Sequence, residues 1–478
     1  MYRRLIQNRL FQGMWSSHYQ KWLQYAIIGG VFLLSLLVAF RPSSRLTLLV
    51  VGALAMVVVS IILIRNIVIG LLGIILACLL IPNFLGSGGL GATLSPPILL
   101  LVLVIGLWAL KLVTRQREGV LVRSRTTLPA IVFILVSLVT FLNGQVNYYV
   151  LAQLAPLPAQ VGGLAVFIFS IAAFLAAANL FDKLKWLKIF TWLFIIISAV
   201  YIFGRLVAQA GTFILPLYQY GSVTSIFWIW LVAISSSQVF FNNHLDRRWR
   251  WALAGILVAT FYVALSQAYN WKSGWLPPLV ALFVILWIGI PRFRIPGLVI
   301  AGVAILLFSF GKIGNVIAGG EDYSIMTREV AWRIVLEITK VNPILGLGMS
   351  NYYWYTPLFP ILGYYVQFNS HNNYIDIIAQ TGLLGLVVFM WFVFKVGRVG
   401  WNLVGKVPHG FSNAYVIGAL GGLAGTIVAG MLGDWIIPFI YNVGMQGFRA
   451  SLLGWLFLGG LVALENIYRN PGTIDLEG

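Results

Sequence analysis

The stretch that decides the fold is residues 312–374, KIGNVIAGGEDYSIMTREVAWRIVLEITKVNPILGLGMSNYYWYTPLFPILGYYVQFNSHNNY. It is the one long polar insertion in a chain that is otherwise almost wholly apolar. It holds a charged amphipathic helix pattern from Tyr323 to Lys340 and a Pro/Gly break at Asn342-Pro343-Ile344-Leu345-Gly346-Leu347-Gly348. An aromatic run from Tyr352 to Tyr355 follows, and then Ser370-His371-Asn372-Asn373-Tyr374. The sequence on both sides of the insertion reads as membrane helix.

That reading rests on composition. Hydrophobic residues fill 60% of 478 positions and charged residues 9%, against roughly 25% charged in a soluble globular chain. A water-soluble core cannot absorb so much apolar sequence, so the fold class is all-α, a polytopic transmembrane helical bundle. Runs of about 20 apolar residues place spans near 22–40, 46–64, 66–82, 96–113, 127–143, 162–180, 188–204, 223–241, 250–267, 274–290, 296–310, 374–394, 412–432 and 447–464. The count is about 12 to 14, because several junctions are tight. The organisation expected is a cytoplasmic basic N-terminus (1–21) and an N-terminal membrane region (22–311). The extracytoplasmic loop (312–373), a C-terminal membrane region (374–466) and a cytoplasmic tail (467–478) complete it. Arg3, Arg4, Arg9 and Lys21 precede a full-length apolar span without a small-residue cleavage site, the pattern of a retained anchor.

The formal charge of +19 follows the loops. With the N-terminus in the cytoplasm, alternate junctions and the termini carry 22 of the 31 basic residues, while 83–95 and 144–161 on the other side carry none. This is the positive-inside imprint, and it assigns the charge to the bilayer rather than to nucleic acid. Nine basic residues stand outside. Arg41, Arg45 and Arg449 lie beside spans, where snorkelling is expected; the others are Arg205, Lys272, Lys312, Arg328, Arg333 and Lys340. Cys78, the single cysteine, lies in an apolar run and excludes a disulfide framework.

In the loop helix, Glu329, Arg333, Glu337 and Lys340 fall on one stripe at 100° per residue, with Glu329–Arg333 and Arg333–Glu337 as i,i+4 pairs. That stripe reads as a solvated face. Arg328 falls on the opposite face with Ala331, Trp332, Val335 and Ile338. A guanidinium there needs an anionic partner: an ion pair to Asp376 or Asp434, a carbonyl, or a phosphate matched to its planar fork. His371 is the one histidine outside, with Ser370 as its expected helix cap. The helix dipole should lower its pKa and keep it neutral near pH 7, as a structural imidazole or a general base. Lys272, in Trp271-Lys272-Ser273-Gly274-Trp275-Leu276, is read either as an interfacial lysine among tryptophans or as a functional cation; Arg205 ends another span. Apart from the adjacent Glu321-Asp322 pair in a Gly-rich turn, no spaced carboxylate/histidine cluster is present, nor is a phosphate loop, dinucleotide fingerprint or nucleophile elbow, so no metal and no cofactor are expected.

These residues in this order resemble the O-antigen ligase / polysaccharide polymerase superfamily of membrane glycosyltransferases. The signature reads Arg328…Trp332…Asn342-Pro343-Ile344-Leu345-Gly346-Leu347-Gly348…His371-Asn372-Asn373-Tyr374…Thr381-Gly382-Leu383-Leu384-Gly385. Lys272 stands where members commonly carry arginine, which keeps the charge and loses the bidentate fork. The resemblance implies a GT-C-like fold. It implies metal-independent transfer of a glycan from an undecaprenyl-diphosphate carrier to a glycan or lipid acceptor hydroxyl, outside the cytoplasmic membrane. His371 and Arg328 are then the catalytic pair, and Lys272, Arg205, Asn372, Tyr374 and Trp332 bind diphosphate or glycan. Tyr352 to Tyr355 either stack on sugars or anchor at the interface. Ligase and polymerase share these motifs. The rival from another class is a lipid or glycan transporter, which would place its ionisable residues near the bilayer midplane.

Overall fold

A computed structural model describes residues 59–81, 95–114, 121–268, 271–309 and 322–469. The chain divides into two compact units, Met1–Asn66 and Ile67–Gly478. Of the first, only residues 59–66 are described, so the expected span 22–40, most of 46–64, and Arg41 and Arg45 lie outside the description. Lys312 and Glu321 lie outside it too.

The second unit is a helical bundle. Its helices are α1 (Val68–Leu79), α2 (Pro96–Thr114), α3 (Thr127–Asn143), α4 (Leu157–Leu180), α5 (Leu184–Leu206) and α6 (Ala208–Ile214). They continue as α7 (Ser225–Phe241), α8 (Arg247–Gln267), α9 (Lys272–Gly289), α10 (Arg294–Ser309) and α11 (Asp322–Thr339). The last four are α12 (Asn351–Tyr355), α13 (Asn373–Leu403), α14 (Phe411–Leu432) and α15 (Gly444–Arg469). Among the described residues, eight helices are long and apolar enough to cross a membrane: α2, α4, α5, α8, α9, α13, α14 and α15. The chain is therefore a polytopic all-α membrane protein.

The centre of the bundle is α15, whose apolar length is wholly buried and packs along α4. Beside it, α14 sits between α7 and α9. Close approach there requires glycine: a Cβ at Gly421 would stand 2.7 Å from the Ala281 carbonyl oxygen, and one at Gly425 2.8 Å from that of Pro277. This is the small-residue seam by which membrane helices gain van der Waals contact in the absence of a hydrophobic driving force. Pro277 lacks the N–H that would satisfy the Ser273 carbonyl one turn earlier, and Ser225 Oγ–H of α7 takes that carbonyl at 2.5 Å. The Trp271–Leu276 motif is thus tied down at the head of α9.

Arg449 does not snorkel. It is fully buried on α15, and its Nη2 donates to the carbonyls of Ala77, at 2.5 Å, and of Ile81, at the C-terminal end of α1. The guanidinium caps carbonyls that a helix end leaves without partners.

Candidate active site

The amphipathic reading of the loop helix fixes how α11 lies. Ala331, Val335 and Ile338 are buried, while Glu329, Arg333, Glu337 and Lys340 are exposed. Arg333 pairs with Glu329 at 2.5 Å. The expected Arg333–Glu337 pair is replaced by Glu337–Lys340, at 2.5 Å, one turn further along. Such exposed pairs contribute a few tenths of a kcal/mol, about 0.3–0.5.

Tyr352 and Tyr355 are not interfacial and do not present faces to sugar. Both are fully buried in a cluster with Val335, Ile338, Leu347 and Phe439, and the Tyr352 ring stacks on Phe439 at 4.9 Å. This cluster seats α11 and α12 on the start of α13.

Two glycine motifs lock to each other beneath the loop. α13 is interrupted at Gly382 (φ 68°, ψ −175°). Leu347 N donates to Ala379 O at 2.8 Å and Gly348 N to Gln380 O at 3.1 Å. In return, Leu383 N donates to Pro343 O at 2.8 Å and Leu384 N to Ile344 O at 3.2 Å. Asn342-Pro-x-x-Gly-x-Gly and Thr-Gly-Leu-Leu-Gly are therefore the two halves of one backbone clamp. Broken helix geometry at such a place requires that the freed backbone groups find protein partners, and here each half supplies the other's. Asn342 Nδ2 adds a hydrogen bond to Tyr148 Oη at 2.8 Å, and Asn143 Nδ2 one to Gly346 O at 3.1 Å.

The clamp and the aromatic cluster frame the turn at His371, which has left-handed backbone (φ 49°). The helix cap is Asn372 rather than Ser370: the Asn372 side chain accepts from Tyr374 N and Ile375 N. Both residue types cap helices well, and Ser370 is instead spent on a buried knot. Ser370 Oγ–H and Tyr352 Oη–H donate to Asp376 Oδ1 at 2.7 and 2.6 Å, and Trp332 Nε1–H donates to Ser370 O at 2.7 Å. Tyr374 Oη–H donates to Ile427 O of α14 at 2.7 Å. Asn372, Tyr374 and Trp332 thus hold the His371 turn in place and do not line the cleft beside it.

That cleft has a volume of about 300 Å³. Arg328 and His371 converge on it, with Tyr353 and Tyr441, Asn442, and the extended segment Gln367–Asn369. Arg328 is half-buried, and its Nη1 reaches the Leu432 carbonyl at 3.4 Å. His371 Nδ1 lies 3.3 Å from Asn442 Nδ2, and that same nitrogen donates to Asp434 Oδ1 at 2.6 Å. Asp434 Oδ2 accepts from Phe439 N at 2.9 Å. Burial lowers the His371 pKa from its ordinary 6.5, and the Arg328 cation lowers it further. The direction agrees with the sequence expectation, and its causes here are burial and Arg328. Asp434 is pushed the opposite way, upward, by burial.

Lys272 and Arg205 do not line the cleft. Lys272 opens α9 next to Trp271, whose ring meets that of Trp435 at 6.2 Å, beside Asp434. Arg205 ties α5 to α8: its Nε–H donates to Gln267 Oε1 at 3.0 Å, and Gln267 Nε2–H returns to its carbonyl at 2.9 Å. Asp434 and Asn442 carry no local signal of their role. They arrive from the α14–α15 connection, 71 residues beyond His371 in the case of Asn442. Among the described residues, no group of three or more His, Cys, Asp or Glu is placed to hold a metal ion.

Residues 254–390 match the family model described as O-antigen ligase. The matched segment runs from α8 into α13 and includes Lys272, Arg328, both halves of the clamp and His371. The match supports the resemblance of this segment to the O-antigen ligase superfamily and, in general terms, a membrane glycosyltransferase of the ligase or polymerase type. No curated protein matches the chain.

Proposed function

We propose that this protein transfers a glycan from an undecaprenyl-diphosphate carrier to an acceptor hydroxyl, on the extracytoplasmic face of the cytoplasmic membrane and without a metal ion. The observation that carries the reading is the convergence of one imidazole and one guanidinium on a single cleft. The acceptor hydroxyl gives its proton to His371 as its oxygen bonds to the anomeric carbon. The anomeric C–O bond to the carrier breaks, and the diphosphate leaves with the electron pair. Arg328 meets the charge that develops on that diphosphate, where a preorganised cation acts most strongly. Burial keeps His371 neutral at pH 7, as a base must be.

The contact at Nδ1 decides which nitrogen works. With Asn442 donating to both Asp434 and His371, the imidazole proton sits on Nε2. Turning the Asn442 amide over, with Asp434 protonated as burial favours, lets Nδ1–H donate to the amide oxygen and frees Nε2 as the base. In this reading the Asp434–Asn442 pair orients the base and sets its tautomer. Lys272, at the head of α9, adds positive charge for the carrier without touching the cleft.

The test is transfer in nanodiscs with purified protein and an undecaprenyl-diphosphate-linked glycan, with and without chelator. Wild type should turn over in chelator, and His371→Ala and Arg328→Ala should each lose at least about a hundredfold, the scale of a general base or an oxyanion donor. Unchanged turnover in folded variants removes both residues from the mechanism. A polymerase differs from a ligase only in the acceptor, which the same assay separates by supplying lipid or glycan hydroxyls.

A further inference from the structure

The cleft wall does not stop at its rim. Ile361 is buried and lines it, the chain leaves as a two-residue hairpin, and Gln367, Phe368 and Asn369 return to line it again. Ile361 and Tyr364 exchange both backbone hydrogen bonds, at 3.0 and 2.9 Å, around Leu362 (φ 51°) and Gly363 (φ 87°). Two positive φ values mark the type I′ hairpin turn, a stiff connection that ordinarily takes Asn-Gly. A leucine in the left-handed region is strained, and strain of this kind gathers at ligand clamps. Beyond the turn, Tyr364 is 65% and Tyr365 70% exposed, with no charged residue anywhere from 341 to 375.

We propose that this hairpin is a glycan subsite: Tyr364 and Tyr365 stack on a sugar ring outside the reacting pair, and Gln367 and Asn369 hydrogen-bond its hydroxyls. The proposal rests on the reading of the cleft as a glycan-transfer site and names what that site holds at a distance from the bond being made. A pyranose offers an apolar C–H face and a rim of hydroxyls. Aromatic rings with amide side chains beside them meet both, the rings at small entropy cost and the amides as donor and acceptor at once. Lipid is the other occupant to consider for exposed tyrosines. The hairpin's two legs are cleft wall, however, and its return leg carries amides in place of the basic residues that accompany membrane anchors. Binding energy from a remote sugar is what holds the reacting sugar in register.

The experiment measures binding without transfer. Free oligosaccharides of one to six units, one series neutral and one uronic-acid-containing, are titrated against the protein in nanodiscs. For at least one series, affinity should rise about tenfold or more between the shortest and longest members, a gain of about 1.4 kcal/mol. The Tyr364→Ala/Tyr365→Ala double variant should abolish that rise, while Leu362→Asn, which suits the turn, should keep it. Length-independent binding, or a rise that survives loss of both tyrosines, overturns the proposal. A second readout places a solvatochromic dye on Val366→Cys; Cys78 is fully buried and escapes labelling. A spectral shift on adding the longest oligosaccharide supports the subsite. Quenching by brominated lipid with no response to sugar assigns the hairpin to the membrane instead. A protein that binds the series yet transfers nothing retires the glycosyltransferase reading alone, whereas one that transfers with no tyrosine dependence retires the subsite alone.

Discussion

The Trp332 indole donates to the Ser370 carbonyl oxygen at 2.7 Å, so one ring on α11 holds the residue that precedes His371. Trp332→Phe keeps most of the ring and deletes the donor. It should lower kcat about tenfold, near 1.4 kcal/mol, with little change in KM, because the proposed base is displaced and the proposed binding groups are not. Single-turnover and steady-state transfer rates check the split. A rise in KM at constant kcat would place Trp332 in substrate binding instead.

Asp434 and Asn442 separate a need for charge from a need for a hydrogen-bond donor. If His371 works through Nε2, Asp434 must donate to the turned Asn442 amide. Asp434→Asn should then retain activity within about threefold, while Asp434→Ala and Asn442→Ala each fall at least tenfold, the scale of a misoriented base. Equal loss in Asp434→Asn and Asp434→Ala would mean that the carboxylate charge is what matters.

The pH profile follows from the direction of the His371 shift. Its folded pKa lies below the ordinary 6.5, so the neutral base persists as pH falls past that value, and the acidic limb of kcat/KM should lie below pH 6.5. Removing a nearby cation makes protonation easier, so Arg328→Gln should move the limb of the residual activity upward. Burial is the larger cause and remains, so the limb should still lie below its place in an exposed imidazole. A limb that stays where it was would detach Arg328 from His371.

Gly382 and Gly346 test the clamp. A Cβ at Gly382 would meet the Ile344 carbonyl oxygen at 2.0 Å, and one at Gly346 the Gly382 nitrogen at 2.5 Å; both glycines also have left-handed φ. Gly382→Ala and Gly346→Ala should each destabilise by about 3 kcal/mol or more, since strain and collision add. Gly405 shares the left-handed φ (+72°) but has open space around it, so Gly405→Ala should cost only about 1–2 kcal/mol. Thermal melts in detergent compare the three.

Much of this was readable before any coordinates. Apolar runs such as 412–432 mark their helices because a span must satisfy its own backbone, and the α11 stripe separates Arg328 from Glu329 by angle alone. Arg328 and His371 are paired in the sequence only by the ordered motifs that carry the family resemblance. The rest depended on contacts between distant segments. Asn442 reaches His371 across 71 residues and leaves no periodic trace. Tyr352 and Tyr355 look like interfacial aromatics until Phe439 is laid against them. Ser370 and Asn372 are both good caps, and only the demand of Asp376 for Ser370 decides between them. Arg449 looks like a headgroup cation because nothing near it in sequence announces the end of α1.

The clamp also bears on how such proteins can be altered. Its two halves pin residues 349–378 at both ends, a hydrogen bond's length from one another. Closing a longer loop on a fixed base costs only about 0.6 kcal/mol per doubling of its length. The segment can therefore be lengthened or exchanged as a cassette, hairpin included, while the frame beneath it stays as it is. Transplanting 349–378 together with α11 should carry a glycan preference from one scaffold to another; moving one half of the clamp without its mate should carry nothing that folds.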